Sequence, residues 1–165
     1  MTIQFTEIGS DVWIPLFAEP KRQEGESSKA FAARQKAYRA KAAPLKIGIT
    51  LLGDEEIRGI EREMDAVVHA EEVRLAELRK EHPDARHLEA ENFRTPEGNR
   101  EFRAALRSGV LRMFRGLRGA QIGRRKSDTV EPAEALEYLA KANLLEHLYE
   151  RCLIAQSPLS TELFC

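Results

Sequence analysis

The chain is poor in the residues that carry most covalent and metal chemistry. Two cysteines occur among 165 residues, Cys152 and Cys165, and they form neither a CxxC pair nor part of a spaced Cys/His set. Disulfide scaffolds and zinc modules depend on such sets. The sequence therefore suggests neither class, and we expect both thiols to be reduced.

Histidine and glycine patterns supply no catalytic motif. The four histidines include no i, i+4 pair of the kind that binds zinc on one helix face. Gly116, Gly119 and Gly123 echo a phosphate-binding loop, but we expect no strand before them and no P-loop lysine-serine follows in register. We therefore expect a non-enzyme with no catalytic residue, metal or cofactor, and keep a small enzyme with an unrecognised site as an alternative.

Long apolar runs and a basic N-terminal leader are also missing. No run approaches the roughly 20 apolar residues that span a bilayer, and residues 1–5 lack the basic start of a secretory signal. Apolar residues make up 42% of the chain and charged residues 32%, which is typical of a globular domain. We expect a cytoplasmic protein without a membrane partner.

Hydrophobic alternation near the N-terminus predicts a small sheet. Residues 2–17 alternate like a β-hairpin around the turn sequence at residues 9–11. Trp13 points away from the side of Ile14, and we expect it to pack under a later helix or to form a contact surface. Ser27 or Ser28 can cap a helix that runs to about residue 42. Residues 45–51 then predict a third strand, with a buried helical turn as the rival interpretation.

The rest of the chain has helical periodicity. We predict a long helix from residue 54 to Pro83, a shorter one from Asp84, one from Thr95-Pro96 to about residue 117, and one from Pro132 to residue 157 with a bend at Asn143. Residues 119–128 predict a polar loop. The fold class is mainly α, a helical domain with a small N-terminal β-hairpin or sheet. We predict one domain, residues 1–165, with 1–53 as the β-containing part, 54–157 as the helical region and 158–165 as a tail.

Charge is distributed in blocks although the net charge is only −1. Residues 54–101 carry fifteen acidic and eight basic side chains, whereas residues 102–126 carry eight basic and no acidic ones. The basic block consists of Arg103, Arg107, Arg112, Arg115, Arg118, Arg124, Arg125 and Lys126. It indicates either a surface that binds phosphates or an acidic partner, or neutralisation of the adjacent acidic helix within the fold.

The C-terminal third resembles a known family. Residues 110–117 (VLRMFRGL) are followed by a polar loop with glycine, then by residues 129–136 (TVEPAEAL), then by an apolar helix ending near Gln156. This order is similar to the tail assembly chaperones of long-tailed bacteriophages, with their W-x-G segment and T-x-E helix start. The resemblance implies a non-catalytic protein that binds the tape-measure protein and tail-tube subunits during tail building.

Two sets of candidate contact residues follow from these patterns. The resemblance and the apolar sides of the predicted helices indicate a surface that binds a structural or tape-measure protein and that also allows self-association. The residues of this surface are Phe102, Leu106, Met113, Phe114, Leu117, Leu145 and Leu148. The second hypothesis is a nucleic-acid-associated protein that uses the basic block. It assigns contacts with phosphates or an acidic partner to Arg112, Arg115, Arg118, Arg124, Arg125 and Lys126.

Overall fold

A computed structural model describes residues 8–85, 94–122, 125–126 and 129–156. These residues belong to two compact units. We call residues 1–52 together with 111–165 the sheet unit, and residues 53–110 the two-helix unit. The protein is mainly α with a small four-stranded antiparallel sheet, which confirms the predicted fold class.

The helices and strands follow one another in a mixed order. In the sheet unit they are β1 (Asp11–Pro15), α1 (Ser28–Lys41), β2 (Lys46–Thr50), β3 (Phe114–Arg118), β4 (Gln121–Ile122), β5 (Arg125–Lys126), β6 (Thr129–Val130), α4 (Pro132–Lys141) and α5 (Leu145–Gln156). Between β2 and β3 the chain forms α2 (Asp54–Glu81) and α3 (Pro96–Met113), whose last three residues belong to the sheet unit.

The four-stranded sheet has the order β1-β2-β3-β6, and every neighbouring pair is antiparallel. Its register places residues in transverse rows. One row is Ile14–Ile47–Leu117–Val130 and the next outward row is Pro15–Lys46–Arg118–Thr129. Because side chains alternate along a strand, successive rows point to opposite faces of the sheet.

One face of the sheet is the core of this unit. The residues of the row Ile14–Ile47–Leu117–Val130 are all buried, as are Ile49 and Phe114 in a second row of the same face. Helix α4 packs against β3 and against α5. Proline at the first position of α4 has a preset φ, and the buried Ala135, Leu136 and Leu139 form the inner side of this helix.

Helix α5 is joined to the sheet by side chains that bind backbone groups. His147 Nε2 donates to the Leu16 carbonyl at 2.7 Å, and Arg151 donates to the Pro15 carbonyl at 2.7 Å. Gln156 accepts from the Leu52 N–H at 2.9 Å and donates to the Thr50 carbonyl at 2.8 Å. These bonds satisfy backbone groups at the ends of β1 and β2 that the sheet leaves unpaired.

Several predicted elements are confirmed. Ser27 caps α1 by accepting from the Ala30 N–H, and α2 ends two residues before Pro83. Thr95 caps α3 by accepting from the Gly98 N–H, with Pro96 as the first helical residue. Residues 46–50 are a strand and not a helical turn.

Other predictions are wrong, and β3 accounts for most of the differences. The helix predicted to residue 117 ends at Met113, because residues 114–118 pair with β2 as a strand. A strand therefore does precede Gly119, and it contains Gly116. The predicted loop at 119–128 includes the β4–β5 hairpin, and the sheet is built from both ends of the chain, not from the N-terminal part alone.

The predicted final helix is interrupted where the sequence indicated a bend. Asn143 has a φ of 59°, in the left-handed region that asparagine tolerates, and it separates α4 from α5. Strand β1 pairs with β2, and in this register Trp13 lies opposite Gly48. The first strand of the predicted hairpin, the body of the short helix after Asp84 and the tail lie outside the described residues.

Gly116 gives the first testable prediction. It has a φ of +142°, follows the bulge that lets Phe114 pair with Ile49, and a Cβ there would lie 2.8 Å from the Val130 carbonyl oxygen. We expect Gly116→Ala to lower the free energy of unfolding by about 1–3 kcal/mol, measured by urea denaturation followed by Trp13 fluorescence.

The matched control for this substitution is Gly53→Ala. Gly53 has a φ of −73°, and a Cβ at this position would meet no atom within 4 Å. We expect a loss of under about 1 kcal/mol from the weaker helix cap. Equal losses for the two variants would contradict the assigned geometry of β3.

Candidate interaction surfaces

The apolar residues predicted to bind a partner are mostly core residues. Five of the seven are buried: Leu106, Met113, Phe114, Leu117 and Leu148. Phe102 and Leu145 are half-buried. A buried side chain offers no surface to a partner, so the predicted contact surface is corrected at these five positions, four in residues 102–117 and one, Leu148, on α5.

The basic residues have different surroundings. Arg112, Arg115 and Arg118 are exposed, Arg112 on the last turn of α3 and the other two on β3. Arg125 and Lys126 form β5, and Arg124 lies outside the described residues. The structure therefore separates these residues into a helix end, a strand and a hairpin.

We call the sheet face opposite the core the outer face; it includes the rows Trp13–Gly48–Gly116 and Pro15–Lys46–Arg118–Thr129. Trp13 is the only tryptophan of the chain. Its ring lies on Gly48, where a Cβ would come within 2.9 Å of the indole carbons, and it reaches Gly116 on the next strand. The Arg118 guanidinium lies 3.6 Å from the ring centroid, and Arg118 Nε donates to Thr129 Oγ1 at 3.3 Å. Trp13 is thus covered by Arg118, and Gly48 makes room for its ring.

The two-helix unit is organised by a buried carboxylate. Glu71 on α2 is only 4% exposed and accepts from the Thr95 N–H at 2.6 Å and from Thr95 Oγ1 at 3.0 Å. Gly98 in the first turn of α3 leaves room for this carboxylate, because a Cβ there would collide with it. Glu71 therefore holds the beginning of α3 against the middle of α2.

Arg74 extends this network. It donates to Glu71 at 2.9 Å and to Glu101 at 2.7 Å, and its Nε lies 3.6 Å from Glu97. Burial raises the pKa of Glu71, but the hydrogen bonds from Thr95 and Arg74 lower it by more, so the pKa lies below its ordinary value. The hydrogen bonds to Glu101 and Glu71 raise the pKa of Arg74. Both groups are therefore charged at neutral pH.

An open cleft lies beside this network, between the C-terminal half of α2 and the first turn of α3. Most of its surface is apolar. Its lining residues are Val73, Arg74, Glu77, Leu78, Glu81, Thr95, Pro96, Glu97 and Arg100. Val73 is 50% exposed at this cleft, a high value for a large apolar side chain.

The described residues hold no cluster of three or more side chains with the composition of a metal site. Cys152 is buried, and burial raises the pKa of its thiol to about 12 despite the nearby Arg151 charge. The reactive species of cysteine is the thiolate, so this side chain packs in the core as a neutral thiol. Among the helices described, none combines the length and the apolar content needed to cross a bilayer.

Comparison with known proteins returned no similar family model, no similar curated protein and no similar solved structure.

Sequence reasoning did not identify the Glu71 network. No local pattern marks Glu71, since its partner Thr95 is 24 residues away along the chain. Thr95 was recognised as a helix cap, and Gly98 three residues later was the available signal of a close approach. The Trp13–Arg118 contact was likewise hidden, because it requires the pairing of β1, β2 and β3.

Replacement of Glu71 gives the second prediction. We expect Glu71→Gln to lower the stability of the protein at pH 7 by about 1–3 kcal/mol, because it weakens charge-assisted hydrogen bonds. The measurement is urea denaturation followed by far-UV circular dichroism.

The pH dependence of this effect has a defined sign. The folded-state pKa of Glu71 is lowered, so its stabilising contribution is complete above the ordinary carboxyl pKa and is lost as the pH falls through the folded-state value. The difference between wild type and Glu71→Gln should therefore shrink on acidification. A control variant, Glu72→Gln, changes an exposed carboxylate on the same helix and should have little effect. A difference that grows in acid would contradict the assignment.

Proposed function

We propose that the protein is a non-catalytic binding protein that takes up a segment of a structural protein partner. The single observation that carries the proposal is the open apolar cleft of the two-helix unit, with the half-exposed Val73 on its surface. Exposed apolar surface within a polar rim is typical of protein-binding sites. The cleft replaces the buried helix faces as the site of contact.

Polar contacts join the two helices that form the cleft. Glu71 joins α2 to Thr95 at the edge of the cleft, and Arg74 contacts carboxylates on both helices. A preformed site loses less conformational entropy on binding than a flexible one. This supports binding of a short segment that inserts an apolar side chain beside Val73, Leu78 and Pro96.

The charge around the cleft favours a basic segment. The charged lining residues of the cleft are three carboxylates, Glu77, Glu81 and Glu97, against two arginines, Arg74 and Arg100, and residues 54–101 carry fifteen acidic against eight basic side chains. Opposite charge on a partner speeds encounter and fixes orientation. We therefore propose that the partner contributes an apolar side chain flanked by lysine or arginine.

The resemblance to phage tail assembly chaperones supplies the class of partner. In this proposal the partner is a tape-measure or tail-tube protein, and the chain assists assembly without catalysing a reaction. The resemblance rests on residues 110–117 and 129–136, whereas the residues that line the cleft fall between Val73 and Arg100. The two lines of support are therefore independent.

The third prediction concerns Val73. The chain is co-expressed with the tape-measure and tail-tube proteins of the genome that encodes it, and complexes are measured by size-exclusion chromatography and calorimetry. We expect one of them to bind, and Val73→Asp to weaken binding at least about ten-fold, because it places a charge in the apolar contact. The double substitution Glu77→Lys and Glu81→Lys should weaken binding in the same direction.

Ile154→Asp is the matched control. Ile154 is 41% exposed on α5, close to the exposure of Val73, but it does not line the cleft. We expect this variant to bind as the wild type does. The proposal fails if neither protein binds, or if Ile154→Asp weakens binding while Val73→Asp leaves it unchanged.

A further inference from the structure

We propose that the outer face of the sheet is a second binding site, which takes single-stranded nucleic acid through the stacked pair of Trp13 and Arg118. This site lies in the sheet unit and is distinct from the cleft assigned to a protein partner. An experiment that disproves nucleic-acid binding at this site would therefore leave the proposed protein-binding function untouched, and the reverse also holds.

Trp13 and Arg118 form a platform on the outer face of the sheet, in which Trp13 is half-buried and Arg118 is exposed. The Trp13 ring rests on Gly48 and reaches Gly116, and the Arg118 guanidinium lies 3.6 Å from the ring centroid on top of it. Thr129 accepts from Arg118 Nε and steadies the guanidinium. Nucleic-acid bases stack on arginine planes as well as on aromatic rings, so the outer side of Arg118 offers a surface for a base.

Cations surround the platform. Lys46 is the direct cross-strand neighbour of Arg118, and both side chains are exposed. Arg115, also exposed, is the extra residue where the register of β2 and β3 shifts. Asp11, the one carboxylate among the strand residues paired on this face, accepts from the Thr50 hydroxyl at 2.6 Å. The paired part of this face therefore presents a base-sized plane together with positive charges for phosphates.

The sequence that follows β3 is also basic. Strand β3 leads into the β4–β5 hairpin, which carries Arg125 and Lys126 before the chain returns to the sheet at Thr129. Residues 102–126 contain eight basic and no acidic side chains. Such a run of basic residues without an acidic one favours an extended polyanion over a small anionic ligand.

The stacked plane favours nucleic acid over an acidic peptide. A carboxylate side chain needs only charge and hydrogen bonds, which Lys46 and Arg115 supply without Trp13. A base needs a plane to stack on, and Trp13 can lie beneath Arg118 only because position 48 is glycine, where a Cβ would come within 2.9 Å of the indole carbons. We therefore expect binding that depends on the guanidinium plane and tolerates changes of base.

The fourth prediction uses Trp13 as a reporter. Because it is the only tryptophan, its fluorescence reports this face alone. Oligothymidylate and oligouridylate of about 20 nucleotides, titrated at low salt, should change the emission with saturation. Between about 50 and 200 mM salt the affinity should fall with a log–log slope near −2, as expected for about three phosphate contacts on a single strand.

Two substitutions at Arg118 separate stacking from charge. Arg118→Lys keeps the charge and removes the plane, so we expect about ten-fold weaker binding with an unchanged salt slope. Arg118→Ala should weaken binding at least as much and also flatten the slope. The matched control, Arg79→Ala, removes an exposed positive charge from α2 and should bind as the wild type does.

Three outcomes would overturn the proposal. The first is no change in Trp13 emission with either oligonucleotide at low salt, a test that needs no variant. The second is equal binding of oligoglutamate, which would assign the face to acidic proteins. The third is wild-type affinity in a folded Arg118→Lys variant, which would leave the stacked pair with a role in folding alone.

Discussion

The pairing of β2 with β3 is the constraint on which the sheet unit depends. These strands occupy the centre of the sheet although about sixty residues separate them in the chain. Their contact places Ile47 beside Leu117 and Ile49 beside Phe114. Strand β1 then pairs with the free edge of β2, and β6 pairs with the free edge of β3. Helix α5 then completes the arrangement, because its polar side chains bind backbone groups at the ends of β1 and β2.

The same pairing gives the two faces of the sheet opposite characters. One face is a dry core of aliphatic side chains and Phe114, sealed in the folded unit. On the other face Gly48 leaves room for the Trp13 ring, which reaches across to Gly116 beneath the Arg118 guanidinium. The two-helix unit is organised differently, since a buried ionised carboxylate and not apolar packing alone fixes the beginning of α3. Each unit thus has its own proposed binding surface.

The sequence predicted correctly those helix ends and strands that are determined by interactions between residues close together in the chain. The caps at Ser27 and Thr95, the end of α2 before Pro83 and the strand at residues 46–50 follow from capping chemistry and alternation. Phe114 and Leu117 were assigned to a helix because residues three apart share a helix face, and only the distant partner β2 makes them a strand. The Glu71 contact and the Trp13 platform escaped prediction for the same reason, because each joins residues far apart in sequence.

The long connection between β2 and β3 also affects how the protein folds. Closing it costs roughly 2 kcal/mol more chain entropy than closing a four-residue turn, and the central strands gain their contacts only after that closure. Early formation of helical structure in α2 and α3 shortens the effective loop, since a helix rises only about 1.5 Å per residue. We therefore expect pairing of β2 with β3 to be slower than formation of α2 and α3, and until it occurs one edge of β2 is open to other strands.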